Sequence, residues 1–468
     1  MDRPNGIESP GTLVERVMGA VHERIARRSL TPGARLPSIR ALAETMQVSK
    51  STVVEAYDRL AAEGAIRSRP GSGFFVAAPL APLSLGEIGP RLDRDVDPFW
   101  VSRQSLEVRT DVLRPGCGWL PPDWMPLDGL RRSLRGLART EDAAVLTDYG
   151  PPRGLPALRQ LLARRMAERG TELRPDQILL TDTGTQAVDL VCRFLIEPGD
   201  TVLVDDPCYF NFLALLRAHR AKVIGVPFTH HGPDLAAFAQ ALAQHRPRLY
   251  ITNSGLQNPT GASLSPAVAH KLLKLAEEHE LIVVEDDIFA DFEHEPTPRL
   301  AALDGLERVI RIGSFSKTLS ASVCCGYIAG RGDWIDNLVD LRIATGFSSR
   351  SFNAALIHAA LTDGGYRKHM EALRTRLAKA LATTSRRLAA LGVEPWLEPS
   401  AGMFLWCRLP DGIDAAEVAR RAIAEKVVLA PGNVFSPSQS TPGFMRFNVA
   451  QCTDERVFKV LERAMRGA

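Results

Sequence analysis

No apolar run in the 468-residue chain approaches the length of a membrane span. Its first residues, Met1 to Gly11, lack the charged-then-apolar pattern of a secretory signal. These absences argue against a membrane partner and place the protein in the cytoplasm. Cysteine is scarce too: seven residues, an odd number without framework spacing, fit reduced thiols rather than a disulfide scaffold. No cluster of Cys and His has the spacing of a zinc site, so no metal is expected. A large surplus of one charge is also missing. The net charge is only +3, but residues 1–78 carry 11 Lys and Arg against 8 Asp and Glu, and the remaining residues carry 46 of each. The small basic excess therefore lies wholly in the first sixth of the chain, compatible with a surface that faces nucleic acid.

What is present is ordinary globular composition, with 45% hydrophobic and 24% charged residues, in a chain long enough for two or three domains. Thr12 and Glu15 form a Thr-x-x-Glu capping box ahead of Val14, Val17, Met18, Val21 and Ile25 on one helical face. Ser38 can cap a second short helix with Ile39, Leu42 and Met46 inward. Ser49 can cap a third with Val53, Ala56, Tyr57 and Leu60 inward, ended by Gly64. Ile66, Gly71, Gly73 and Phe74-Phe75-Val76 then read as a β-hairpin. Three helices and a hairpin predict a winged helix-turn-helix over residues 10–78. Its third helix, led by Ser49, Lys50, Ser51 and Thr52, would enter the major groove of double-stranded DNA. Arg40 can clamp a phosphate and Gly71 lets the wing approach the minor groove. A small helical module with a polar surface is the plainer alternative.

Residues 79–112, with Pro79, Pro82, Pro90 and Pro98, predict an extended linker. From 113 to 468, helical stretches alternate with the apolar runs Ile178–Thr181, Thr201–Val204, Leu249–Thr252, Leu281–Val284 and Val309–Ile312. That alternation predicts an α/β domain with a mostly parallel sheet. The mixed pattern beyond Arg350 predicts a smaller α+β lobe.

Four stations in this body carry chemistry. Thr183-Gly184-Thr185-Gln186 opens a helix and can cradle a phosphate, or be a plain strand-to-helix turn. Asn258-Pro259-Thr260-Gly261 holds an Asn that can donate to a phenolic oxygen, or merely makes a turn. Asp286 ends an apolar run where α/β sheets bind ligands, although Glu285 and Asp287 also allow a solvated acidic cluster. Ser314-Phe315-Ser316-Lys317 offers a lysine flanked by hydroxyls, either a Schiff-base former or a surface charge.

The head segment "LTPGARLPSIRALAETMQVSKSTVVEAYDRLAAEGAIRSRPGSGFFVA" resembles the winged-helix heads of GntR-family regulators. "TDTGTQAVDL", "DDPCY", "QNPTG", "VVEDDIFADF" and "GSFSKTLSAS" resemble the successive motifs of fold-type I, class I aminotransferases, with "YGPPRG", "GMFLW" and "MRFNVA" extending the likeness. The combination is the layout of the MocR subfamily. The resemblance implies a transcriptional regulator with a pyridoxal phosphate (PLP) site. In that site Lys317 is the Schiff-base lysine, Asp286 pairs with the pyridinium nitrogen, Asn258 contacts O3′ and Tyr209 stacks on the ring. Thr185, Gln186, Ser314 and Ser316 hold the phosphate, and Arg446 grips an effector carboxylate. Tyr149 reaches into the neighbouring site of a homodimer. In the head, the resemblance assigns DNA contact to Arg40, Ser49, Lys50, Thr52 and the wing around Gly71.

Two positions depart from the family pattern. Phe289 stands where a Tyr usually binds O3′, and Cys324 stands where an Arg usually pairs with the phosphate. Three functions are therefore weighed. In the first, a regulator senses PLP or an amino-compound effector. In the second, an active aminotransferase carries a targeting head. In the third, a regulator has a degenerate, cofactor-free pocket. The departures favour the first over an enzyme.

Overall fold

The computed structural model describes residues 12–27, 29–31, 33–69, 71–77, 96, 98–107, 111–139 and 144–467, and the chain divides into two compact units near Glu87. In the first unit, α1 (Leu13–Ala26), α2 (Ile39–Met46) and α3 (Lys50–Ala62) precede a hairpin of β1 (Ile66–Arg69) and β2 (Gly73–Val76). Each helix starts where its capping residue predicts. Thr12 and Glu15 form the reciprocal box, Ser38 Oγ accepts from Ala41 N and Ser49 Oγ accepts from Thr52 N. Val17, Val21, Leu42, Val53, Ala56, Tyr57, Leu60, Ile66 and Val76 close one core, so the helical face and the wing bury against each other. Because Ser38 satisfies an otherwise orphaned donor, Ser38→Ala should lower the stability of this unit by about 1 kcal/mol, read as an earlier urea midpoint.

The second unit is built on an eight-stranded sheet. Its strands are β3 (Ile178–Thr181), β4 (Thr201–Asp206), β5 (Lys222–Thr229), β6 (Gly232–Pro233), β7 (Leu249–Thr252), β8 (Ile282–Asp286), β9 (Val309–Ser314) and β10 (Gly326–Ala329), in the order β3-β10-β9-β8-β7-β4-β5-β6. The neighbours β9-β8-β7-β4-β5 run parallel, and β10 runs antiparallel between β3 and β9. The five apolar runs read from the sequence are β3, β4, β7, β8 and β9, each almost wholly buried, as expected of strands covered on both faces. A smaller lobe carries the antiparallel sheet β11 (Glu394–Pro395), β12 (Phe404–Arg408), β13 (Ala430–Pro431) and β14 (Phe444–Asn448), with the 25-residue helix Gly365–Ala389 beside it. Among the described residues no helix is long and apolar enough to cross a membrane.

One expectation needs correction. Of the stretch expected as an extended linker, residues 79–95, 97 and 108–110 lie outside the described residues, but Pro98–Leu106 is a helix, α4. Pro98 sits at its first position, where proline's missing N–H costs nothing, so the proline that suggested an extended chain starts a helix instead. Val96 and Val101 are fully buried against Phe210, Trp406 and Phe435, which makes this segment part of the body.

Candidate functional site

The parallel strands of the large sheet deliver their C-terminal ends to one edge, which is where open α/β sheets bind ligands. β3 leads into the turn that opens the helix Gly184–Leu195. Beyond β4 the chain reaches Tyr209, and the loop after β7 carries Asn258. β8 ends on Asp286, and β9 ends on Ser314 just before Lys317. Gly326 at the start of β10 makes the close packing of this edge possible. A Cβ there would stand 2.7 Å from the Thr183 carbonyl carbon and 2.8 Å from Gly184 N.

A cavity of about 330 Å³ lies at this edge. Thr185, Tyr209, Asp286, Ser314, Ser316 and Lys317 line it together, six of the residues singled out from the sequence. At one end stands the N-terminus of the helix Gly184–Leu195, whose cap is Thr183. A Cβ added to Gly184 would lie 3.5 Å from Ser314 Cβ, so the absent side chain leaves room between the helix end and the serine. Ser314 Oγ donates to Ser316 Oγ at 3.2 Å, and both serines line the space. Helix N–H groups and hydroxyls in this arrangement suit a phosphate.

Lys317 is surrounded by protein while still opening on the cavity. Burial first, and then the nearby Arg446 guanidinium, lower its pKa to about 8. Asp286 is pushed the opposite way, to about 7, chiefly by burial, against hydrogen bonds from Ile288 N and Asn253. Asn253 Nδ2 also fixes the end of β8 by donating to Asp286 O at 2.9 Å.

The alternative of a solvated acidic cluster fails, because Glu285 and Asp287 are buried with partners of their own. Glu285 accepts from Leu300 N and Ala301 N at 2.7 and 3.0 Å. Asp287 pairs with Arg299 at 2.7 Å and with Arg311. These partners hold the flanking carboxylates away from the cavity and leave Asp286 alone on its wall.

Asn258 and Arg446 form a second buried group. Arg446 Nη1 donates to Asn258 Oδ1 at 2.8 Å and Nη2 donates to Gly116 O at 2.7 Å. Its guanidinium lies 4.3 Å from the Phe404 ring centroid and 4.8 Å from that of Phe435. Burial lowers its pKa to about 10. Its Nε has no hydrogen-bond partner, an uncommon state for a fully buried cation.

Gln186, Tyr149, Asn258 and Arg446 are not among the residues that line the cavity. The Gln186 side chain accepts from Asp182 N at 2.6 Å and so holds the turn. Tyr149 is 76% exposed, its ring packed edge-on 4.9 Å from that of Phe347.

Of the two departures, Cys324 lines the cavity and its thiol donates to Ala321 O at 3.0 Å. Phe289 points away, packed against Phe404 with ring centroids 5.6 Å apart. Sequence reading missed Asn211, which lines the cavity and donates to Thr185 Oγ1 at 3.4 Å. It also missed Gly118, where a Cβ would lie 3.9 Å from Lys317 Nζ. The Gly-Cys-Gly run at 116–118 was the signal for Gly118; nothing in the sequence marked Asn211.

In the head, Ser49, Lys50 and Thr52 stand together at the start of α3. The Ser49 and Thr52 hydroxyls lie 2.8 Å apart, and Lys50 is exposed. Arg40 near the start of α2 is exposed and pairs with Glu44 within its own helix. Gly71 turns the wing with φ of +74°, a conformation that glycine adopts without strain. The wing also carries exposed Arg67 and Arg69, which were not singled out from the sequence.

The sequence model described as "Aminotransferase class I and II" matches residues 129–463, and that described as "Bacterial regulatory proteins, gntR family" matches residues 13–76. The chain belongs to the GntR-type regulators with an aminotransferase-like body, the MocR layout. The regulator is 30% identical over 449 residues to an uncharacterized HTH-type transcriptional regulator of Escherichia coli K12, YdcR, covering 93% of this chain and 94% of that one. It is also 30% identical over 375 residues to a 2-aminoadipate transaminase of Thermus thermophilus, covering 78% of this chain and 92% of that one. Its body superposes on the crystal structure of the α-aminoadipate aminotransferase LysN of Thermus thermophilus, complexed with N-(5′-phosphopyridoxyl)-L-leucine. The TM-score is 0.72 at 27% identity, over 78% of this chain and 94% of that one.

Proposed function

We propose that the regulator holds PLP on Lys317 and that occupancy of this cavity, by the cofactor and an amino compound reacting with it, sets the affinity of the head for double-stranded DNA in the cytoplasm. The observation that carries this reading is the meeting of Lys317, Asp286 and Tyr209 in one cavity whose far end is a helix N-terminus with hydroxyls. Bound there, PLP would supply a carbonyl carbon for amines and a ring that accepts electrons. The chain supplies the rest. Lys317 offers an amine whose lowered pKa leaves a useful neutral fraction near pH 7. Asp286 would pair with the ring nitrogen and hold a proton there. Tyr209 would cover the ring, and Asn258, whose Oδ1 is held by Arg446, would offer its amide N–H to the phenolic oxygen. Thr185, Ser314 and Ser316 hold the phosphate by neutral donors, and Gln186 keeps the helix-opening turn in shape.

Arg446 would receive an effector carboxylate, a planar donor matched to a planar acceptor. A homodimer is supported by the exposed apolar side chains Leu146, Tyr149, Phe347 and Phe352, and across such a contact Tyr149 would reach the partner's cavity.

Retention of the Lys317, Asp286 and Arg446–Asn258 set favours a second reading, an active aminotransferase, as in the named Thermus relative. Sustained keto-acid formation from an amino donor would select it. Two measurements test the first reading. Borohydride reduction with PLP should place the added mass on the Lys317 peptide; a label on surface lysines alone would remove the site. In the head, Lys50→Ala should weaken DNA binding uniformly across sequences and reduce the salt slope by about one unit, as loss of a phosphate contact does.

A further inference from the structure

Helix α4 stands between the head and the body along the chain, and its contacts reach both the residues around Arg446 and the cavity of Lys317. Val101 on its inner face and Val96 just before it are fully buried with Phe210, Trp406, Val434 and Phe435. Asn433 Nδ2 donates to Val96 O at 2.9 Å. Arg114, next to the segment that carries Gly116 and Gly118, donates to Glu107 O at 2.8 Å just after the end of α4. Two residues of the α4 cluster, Phe210 and Phe435, also flank the Arg446 guanidinium, with ring centroids at 5.9 and 4.8 Å. Leu106, the last residue of α4, lines the cavity that holds Lys317.

This docking is poised rather than tight. Nine residues are too few for a helix to stand by itself in water, so α4 depends on what it packs against. Ser105, one turn after Val101 on the same inner face, is buried with a hydroxyl that finds no partner, which subtracts from the gain of docking. Leu106 lines the cavity and is nevertheless 69% exposed. A molecule filling the space would cover it and remove apolar surface from water.

We propose that α4 is the element through which the regulator reads its cavity: an occupant fixes α4 on the body by covering Leu106, and an empty cavity leaves it loosely docked. This rests on the reading that cavity occupancy controls DNA affinity. The chain from the head enters the body through α4, so a change in its docking alters the tether from which the head acts.

The test is hydrogen exchange on the full-length regulator with and without PLP, paired with DNA titrations. PLP should slow exchange of the Val101–Glu107 amides about tenfold, the effect of covering a leucine. Ser105→Ala should slow the same amides without PLP and shift DNA affinity in the direction that PLP does. Val101→Ser should abolish the PLP effect on DNA affinity while Lys317 still captures the cofactor. If PLP shifts DNA affinity but leaves α4 exchange unchanged, this inference is overturned and cavity sensing stands. If PLP leaves DNA affinity of the natural protein unchanged, both fall. Should Val101→Ser fail to fold, Ser105→Ala decides, because it only removes an unpaired hydroxyl.

Discussion

Lys317→Ala should abolish covalent capture of PLP and, with it, the visible absorbance of the lysine-bound cofactor. The expected loss is large because nothing else in the cavity substitutes for the bond. Among the residues lining it, Lys317 is the only cation, and the phosphate end offers only hydroxyls, helix N–H groups, an amide and a thiol. Capture by the natural protein should also carry a distinctive pH dependence. Only the neutral amine attacks a carbonyl, and burial together with Arg446 brings the Lys317 pKa down to about 8. At pH 7 about one molecule in ten then carries a neutral Lys317, against about one in three thousand for an unperturbed lysine. The capture rate should rise about tenfold per pH unit up to pH ~8 and flatten above it. A rate that climbs without a break past pH ~10 would mean that Lys317 is an ordinary exposed lysine.

Cys324→Arg should tighten PLP binding by about 10- to 100-fold, the value of one hydrogen bond to a charged group. Cys324 lines the cavity, where its thiol contributes only a weak bond to Ala321 O. The substitution brings no new backbone strain. Cys324 already adopts φ of +46°, a conformation that costs Cys and Arg alike. A guanidinium there would bring a planar, bidentate cation to the phosphate in place of a thiol. An absorbance titration measures the effect. In the Lys317→Ala background the same change should restore detectable noncovalent binding. Unchanged or weaker affinity would show that the neutral cradle already satisfies the phosphate.

Much of this architecture was legible in the sequence, for local reasons. β3, β4, β7, β8 and β9 announced themselves as unbroken apolar runs because both faces of the sheet are covered, and Ser38 and Ser49 announced the starts of α2 and α3 because a cap acts within three residues. β5 was missed where Gly225 and Pro227 interrupt its run, and β10 where it is short and bounded by glycine. Helix α4 was hidden by the proline density before it. The site was harder, because its electrostatics depend on partners far apart in the chain. Asn258 and Arg446 are separated by 188 positions, and the burial of Asp287 depends on Arg299 and Arg311. Motif order located Lys317 and Asp286; only packing could show that Gln186 serves its own turn and that Phe289 faces away from the cavity.

Sensing through the cavity is tested most directly by titrating the full-length regulator onto its own upstream DNA at fixed salt, with and without PLP, for the natural protein and for Lys317→Ala. The expected result is a cofactor-dependent change of about fivefold or more in the natural protein, the lower range of allosteric coupling, and none in Lys317→Ala. Equal DNA affinity with and without cofactor in the natural protein would contradict it.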